Sequence, residues 1–196
     1  MADKLAGREA IESALAAVGD LLEFRGSSAS IVVVGGAALN LLGVVNRATI
    51  DVDVLAREAA EGLEPPDPLP AELVEAIRLV ATDRGLLPTW MNTAVAGQWA
   101  FGLPPGLGER VRWRAYRGLR VGVADRRDLI FFKLYASADQ TSPDNVHTRD
   151  LLALKPSDDE LAAAASWVAE QDPSPDFYAI VRKVVDHVRT TLRPSR

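Results

Sequence analysis

The chain reads as an α+β protein, a mixed β-sheet core flanked by helices with a C-terminal helical lobe. Three observations lead to that class. Ile31–Val34 is a β-branched run beside glycines, as a buried strand would be. The segment "ERVRWRAYRGLRVGVAD" alternates apolar and other residues on both sides of Arg117-Gly118, the pattern of a hairpin. After Asp125 the apolar spacing becomes helical and stays so to the end of the chain.

Taken in order, residues 7–24 place Ile11, Leu15, Val18 and Leu22 at helical spacing, which predicts an amphipathic helix. "RGSSAS" turns the chain into the Ile31–Val34 strand. Ala37 to Leu42 is short and rich in helix formers, and Gly43 stands where a left-handed cap would end it. Ala48 to Leu55 reads as a second strand. "EGLEPPDPLPAE" (61–72) is a loop, because prolines at that density defeat both helix and ladder. Residues 71–84 form a helix with Gly85 as its cap. In the hairpin, Val111, Trp113 and Ala115 alternate with arginines before the turn, and Leu119, Val121 and Val123 follow it. Asp125, with Asp128 three residues on, marks a helix start. Helices are expected over about 126–139, 145–154, 158–171 and 175–192. The last carries Phe177, Ile180, Val181, Val184, Val188 and Leu192 on one stripe. The expected organisation is a core over 1–125 and a helical lobe over 126–196 packed on it.

Composition narrows the function classes. The 196 residues are 48% hydrophobic and 25% charged, and a mean hydropathy of +0.03 is ordinary for a globular chain of one core and a smaller lobe. No apolar run approaches the roughly 20 residues that cross a bilayer, so no membrane role is expected. The amino terminus has no apolar signal core. Without cysteine there is neither a disulfide framework nor a thiolate zinc site, and a cytoplasmic location is the default expectation. A net charge of −5 argues against a general nucleic-acid binder, although a local basic patch can still act. His147 and His187 are the only imidazoles, which excludes a multi-histidine metal site.

The functional question lies in "VVVGGAALNLLGVVNRATIDVDVLA". Alternate residues of a strand share a face, so Asp51 and Asp53 would project together, roughly 7 Å apart at their α-carbons. Arg47 and Thr49 continue that face if the strand begins early. Two carboxylates so placed repel each other and are costly to desolvate. A shared proton, an arginine or hard divalent cations relieve that strain. Mg²⁺ suits the pair, since it takes oxygen ligands and binds through one or two carboxylates plus substrate phosphates. Gly35 and Gly36 lie between strand and helix, where glycine admits a ligand to the backbone and a helix N-terminus offers N–H groups to an anion. One element would cradle phosphates and the other hold their cations. Other readings stand beside this one. Gly-Gly can serve tight packing alone, and Asp-x-Asp can be a solvated edge that deters sheet pairing.

These residues resemble the signature of the DNA polymerase β-type nucleotidyltransferase superfamily: a strand, Gly-Gly, a short helix, then Asp-x-Asp on the next strand. The Arg47-x-Thr49-x-Asp51-x-Asp53 form is similar to small bacterial nucleotidyltransferase-like proteins, abortive-infection and toxin–antitoxin toxins among them. "DLIFFKLYASAD" and "HTRDLLAL" look like that subgroup's later motifs. The resemblance implies that Gly35 and Gly36 contact nucleotide phosphates and that Asp51 and Asp53 hold Mg²⁺, two ions in an active enzyme. It places Lys133 at the phosphates and Asp150 near the site, with Arg47 and Thr49 among the nucleotide-binding residues. Lys133 lies on a mostly apolar stripe with Leu129, Ile130, Ala136 and Ser137, so its ammonium either snorkels outward or reaches an internal anion. Asp150 reads first as a salt-bridge or cap residue.

Three features depart from the family pattern. Ala37 follows the second glycine where a hydroxyl residue is common. No third carboxylate is evident, since the best candidate strand, "RVRWRAY", offers arginines, and Asn92 and Thr93 in "TWMNTAV" are not carboxylates. The downstream Arg…Lys-Asp motif is eroded, with His147 roughly where an acid is expected. The expected activity is Mg²⁺-dependent transfer of a nucleoside monophosphate from an NTP to an acceptor hydroxyl. The alternative is an inactive protein of that fold that binds a nucleotide or a partner. Arg110, Arg112 and Arg114 head an arginine cluster that continues through Arg117, Arg120, Arg126 and Arg127. Arginine pairs bidentately with phosphate, so the cluster could receive an RNA acceptor such as tRNA; the reading set ahead of it is a solvated hairpin face paired with acidic helices. The toxin resemblance implies a cognate antitoxin, which no residue here identifies.

Overall fold

The computed structural model describes residues 4–140 and 144–193. The ends of the predicted core and lobe at 1–3 and 194–196, and residues 141–143, lie outside the described residues. Two compact units result, one of the described residues up to Ala100 with Gly106–Asp125, the other of Phe101–Pro105 with the described residues from Arg126 onward. The fold is the expected α+β class, a mixed sheet with helices and a helical C-terminal region.

In the first unit β1 (Leu5–Ala6) precedes α1 (Arg8–Phe24), β2 (Ala29–Val34), α2 (Gly35–Leu42), β3 (Ala48–Thr49), β4 (Val52–Ala59) and β5 (Gly62–Glu64). Then come α3 (Ala71–Arg84), β6 (Met91–Asn92), a 3₁₀ turn over Ala94–Gly97, and α4 (Gln98–Phe101), of which residues up to Ala100 belong to this unit. α5 (Leu107–Arg110) and the hairpin β7 (Arg112–Tyr116) and β8 (Leu119–Val123) complete it. The main sheet runs β5-β4-β2-β8-β7, with β6 also paired to β4. β2 is its centre, antiparallel to β4 and parallel to β8, and Ile31–Val34 are buried as an apolar central strand must be. The predicted stripe of α1 is inside, since Ile11, Leu15, Val18 and Leu22 are all buried. Burial of each such side chain contributes about 1.5–3 kcal/mol.

The second strand departs from expectation. Read as Ala48–Leu55, it is two elements separated by Ile50 and Asp51. Ala48 and Thr49 pair with Ala6 and Leu5 in a separate two-stranded sheet, whereas β4 pairs with β2. The chain changes partners between them, so one continuous pleat is lost, and Ile50 is half-exposed. α2 starts at Gly35, two residues before the predicted start. The proline-rich segment contains β5, which pairs with the far end of β4. The predicted cap residues Gly43 and Gly85 are left-handed, at φ +74° and +64°.

The second unit holds α6 (Arg126–Ala138), α7 (Val146–Leu154), α8 (Asp158–Gln171) and α9 (Pro175–Leu192). Trp167 of α8 packs against both Phe131 and Phe132 of α6, each with its ring centroid 5.8 Å away. Ser157 begins α8 with a capping box, accepting from Glu160 N–H while the Glu160 carboxylate accepts from Ser157 N–H.

Arg126 joins three elements of this unit. Its guanidinium donates to the carbonyls of Leu154 and Lys155, which end α7, and to both Glu160 oxygens at 2.6 and 3.1 Å. The hydrogen bond from Arg126 is the main reason the Glu160 carboxyl sits below its ordinary pKa; burial opposes it, and the Ser157 N–H and the nearby arginine charges reinforce it. A carboxylate depressed in the fold adds stability that is complete above its unfolded value, about 4.3, and is lost as pH falls through the folded value. Urea unfolding at pH 6 and pH 3 should therefore show a larger acid loss for the natural chain than for Arg126→Ala. At pH 6 Arg126→Ala should cost about 1.5–3 kcal/mol. Equal acid losses in the two proteins would show that this pairing does not set the dependence.

Candidate functional site

The glycine bend follows from the end of β2. Val34 is extended, and Gly35 turns the chain into α2 at φ +71°, a conformation that L side chains rarely adopt. The β2–β4 register sets Val34 against Asp53, which brings the Asp53 side chain onto Gly35. A Cβ on Gly35 would lie 2.0 Å from Asp53 Oδ2 and 3.1 Å from its Cγ. The carboxylate therefore occupies the space a side chain would need. A Cβ on Gly36 would meet Thr49 Oγ1 at 3.1 Å and Arg47 Nη2 at 3.4 Å. Thr49 is buried, and its hydroxyl donates to the Asp51 carbonyl at 3.3 Å and lies 3.4 Å from Asp51 Oδ1. Gly35, Gly36, Arg47, Thr49, Asp51 and Asp53 are thus one neighbourhood of the first unit. Asp51 joins it through Thr49 from the break before β4, and not by strand alternation with Asp53.

The donor set is one of hard oxygens. The partly exposed carboxylates of Asp51, beside the Thr49 hydroxyl, and of Asp53, against Gly35, are the ligand type Mg²⁺ takes. That ion needs only one or two carboxylates from protein when phosphates and water complete its shell. On the side of Asp53 away from β2 runs β6, whose Asn92 stands in register with it. The Asn92 side chain is engaged locally, donating to Thr89 O and accepting from Ala94 N–H at 2.8 Å. Among the described residues no group of three or more acids or histidines is placed to hold a metal.

Lys133 and Asp150 meet in the second unit. Lys133 Nζ lies 2.8 Å from Asp150 Oδ2, with side chains only 6% and 2% exposed, and His147 Nδ1 is 3.5 Å from the same ammonium. Of the two fates open to Lys133, the inward one holds: it reaches an internal anion, and that anion is Asp150.

The arginine cluster is largely tied to this chain's own acceptors. Arg112 pairs with Asp125, Arg114 with Glu12, and Arg117 with Asp20 and Glu23. Arg114 also donates to Leu41 O at 2.6 Å, where α2 ends. Arg120 pairs with Glu58 and stacks over Trp113, 4.1 Å from the ring centroid. Arg110 lies at the end of α5, its guanidinium against Gly106. Of the acidic partners, Glu12, Asp20 and Glu23 lie on α1, whereas Glu58 is on β4 and Asp125 follows β8, so the expected pairing with acidic helices holds for Arg114 and Arg117.

One residue of the neighbourhood escaped the sequence reading. Asn40 is fully buried on α2; its Nδ2 donates to Gly36 O at 2.9 Å and its Oδ1 accepts from Arg47 N–H at 3.1 Å. The available signal was a lone amide within the apolar "AALNLL", since a buried polar side chain needs partners.

Residues 13–154 match the family described as "Nucleotidyltransferase of unknown function (DUF6036)". No curated protein and no solved structure matches the chain. No helix among the described residues is long and apolar enough to cross a membrane. The matched span starts within α1, takes in the glycine bend and both aspartates, and ends where α7 ends. Covering well over half of the sequence, it makes the chain a member of this family of nucleotidyltransferases of unknown function.

Proposed function

We propose that the protein binds a Mg²⁺-associated nucleoside triphosphate at the glycine bend and transfers its nucleoside monophosphate to an acceptor hydroxyl. The observation that supports this most is the apposition of Gly35 and Asp53, in which a carboxylate lies directly on a glycine that opens a helix. Backbone N–H groups at the start of α2 receive phosphate oxygens. Thr49 and Arg47 fill the side of Gly36 where a Cβ would stand, and the Arg47 guanidinium there adds positive charge beside the bend. Asp51 and Asp53 hold the cation, which when bound neutralises phosphate charge and favours displacement at phosphorus. In the reaction the acceptor oxygen bonds to the α-phosphorus, the bond from that phosphorus to the α,β-bridging oxygen breaks, and pyrophosphate leaves; the hydroxyl proton passes to water. The likeness to toxin-related proteins makes tRNA the first acceptor to try. That likeness also puts Lys133 at the phosphates and Asp150 near the site, which is a separate claim with its own test.

A second reading, nucleotide binding without turnover, is favoured by Asn92, an amide in register with Asp53 where a further acid would complete the set. Titration of ATP, GTP, CTP and UTP with and without Mg²⁺ tests the shared part. The natural chain should bind at least one in a Mg²⁺-dependent way, and Asp51→Asn or Asp53→Asn should weaken that binding about tenfold or more, as loss of a charged contact does. Radiolabelled NTP with total tRNA, and with aminoglycosides, then divides the readings. A labelled acceptor supports transfer, and Mg²⁺-dependent binding with no label on any acceptor supports the second reading. Absence of Mg²⁺-dependent binding to all four nucleotides would sink both.

A further inference from the structure

We infer that Asn40 is a positioning residue of the nucleotide site, holding the Arg47–Asp51 side of it against the glycine bend. The inference rests on the proposed nucleotide reading of that bend.

α2 is eight residues long and otherwise apolar where it is buried. An amide at a fully buried position of such a helix must be satisfied at both ends, and Asn40 is. It reaches back to the Gly36 carbonyl and forward to the Arg47 amide. Between these anchors the chain leaves α2 at Gly43 and has no regular structure until β3. Asp53 needs no such tether, because the β2–β4 register already fixes it opposite Val34. Arg47, Thr49 and Asp51 precede β4, and the short β1–β3 pairing is the only ladder that holds any of them among the described residues. The Asn40 amide fixes the main chain from which the Arg47 guanidinium returns over Gly36 and from which Thr49 reaches Asp51. Without it, this segment can shift relative to the bend while Asp53 stays in place.

The consequence is selective. Asn40 should couple to Arg47 and not to Asp53. A double-mutant cycle reads this, since residues acting through one another are non-additive and independent ones add. The probe is Mg²⁺ with ATP, or with whichever of GTP, CTP and UTP the natural chain binds most tightly. Asn40→Ala and Arg47→Ala should each weaken binding about tenfold, the scale of one charge-assisted hydrogen bond. The Asn40→Ala/Arg47→Ala double variant should bind no more weakly than the poorer single, whereas the losses from Asn40→Ala and Asp53→Asn should multiply. Asn40→Ser is the milder replacement should the alanine variant not fold, with folding checked by circular dichroism. General destabilisation of the unit would not produce that contrast between partners. Unchanged affinity in both Asn40 variants, multiplying losses with Arg47→Ala, or failure of both variants to fold overturns the inference while leaving the nucleotide reading intact. A natural chain with no affinity for any NTP overturns the two together.

Discussion

Gly35→Ala should abolish Mg²⁺-dependent nucleotide binding and lower the unfolding midpoint by roughly 5 °C. The two effects have separate causes. At φ +71° an L side chain is strained by about 1–3 kcal/mol, and for a chain of this size each kcal/mol corresponds to about 2–4 °C. The added Cβ also lies 2.0 Å from Asp53 Oδ2, well inside any contact distance. The flexible side yields, so the carboxylate must rotate off the bend. Displacement of a group meant to hold the cation removes binding out of proportion to the lost stability. Gly43→Ala separates the causes, because Gly43 is equally left-handed at φ +74° but has nothing within 4 Å of its would-be Cβ. It should show a similar thermal loss and natural affinity. Gly36→Ala should fall between, since its Cβ meets Thr49 Oγ1 and Arg47 Nη2 at 3.1 and 3.4 Å without a positive φ. Differential scanning fluorimetry and nucleotide titration on the three variants check the order. Equal losses of affinity in Gly35→Ala and Gly43→Ala would mean that the contact with Asp53 has no part in binding.

What the sequence revealed divides by the range of the forces involved. α3 was legible from Ala71 to its left-handed Gly85, and α9 from its apolar stripe, because helical spacing and glycine caps are local signals. The hairpin turn at Arg117-Gly118 was equally local. The break at Ile50–Asp51 was not, because its cause is pairing with Leu5 and Ala6 more than 40 residues earlier. β6 is too short to carry an alternation, yet its Asn92 faces the register position of Asp53. The hairpin arginines were visible as a pattern, but their partners are remote in sequence: Glu12 of α1 for Arg114, Asp20 and Glu23 of α1 for Arg117, and Glu58 of β4 for Arg120. Of the site, residue types and order were legible in Gly35, Gly36, Asp51 and Asp53. The contact of Gly35 with Asp53 needed the β2–β4 register, and the place of Asp51 needed the interrupted strand.

Lys133 and Asp150 yield the largest expected stability effect, and it differs in kind between single and double variants. Their ammonium and carboxylate are 2.8 Å apart and almost wholly shielded from water. Removing either partner strands a buried charge, and such losses run to about 3–5 kcal/mol. Lys133→Met and Asp150→Asn should each unfold at markedly lower urea. Lys133→Met/Asp150→Leu, which removes both charges and keeps comparable volume, should recover most of the deficit, because a well-packed apolar pair often replaces a buried ion pair without loss. That recovery turns the double variant into a probe of function. Should it fold well and yet bind Mg²⁺-associated nucleotide many-fold more weakly than the natural chain, the ammonium serves the nucleotide as well as Asp150. Should it bind as the natural chain does, the pair is structural and the phosphate role falls to Arg47 and the amides at the start of α2. A double variant no more stable than the singles would contradict the premise, since the stranded charge would then not be what the single substitutions expose.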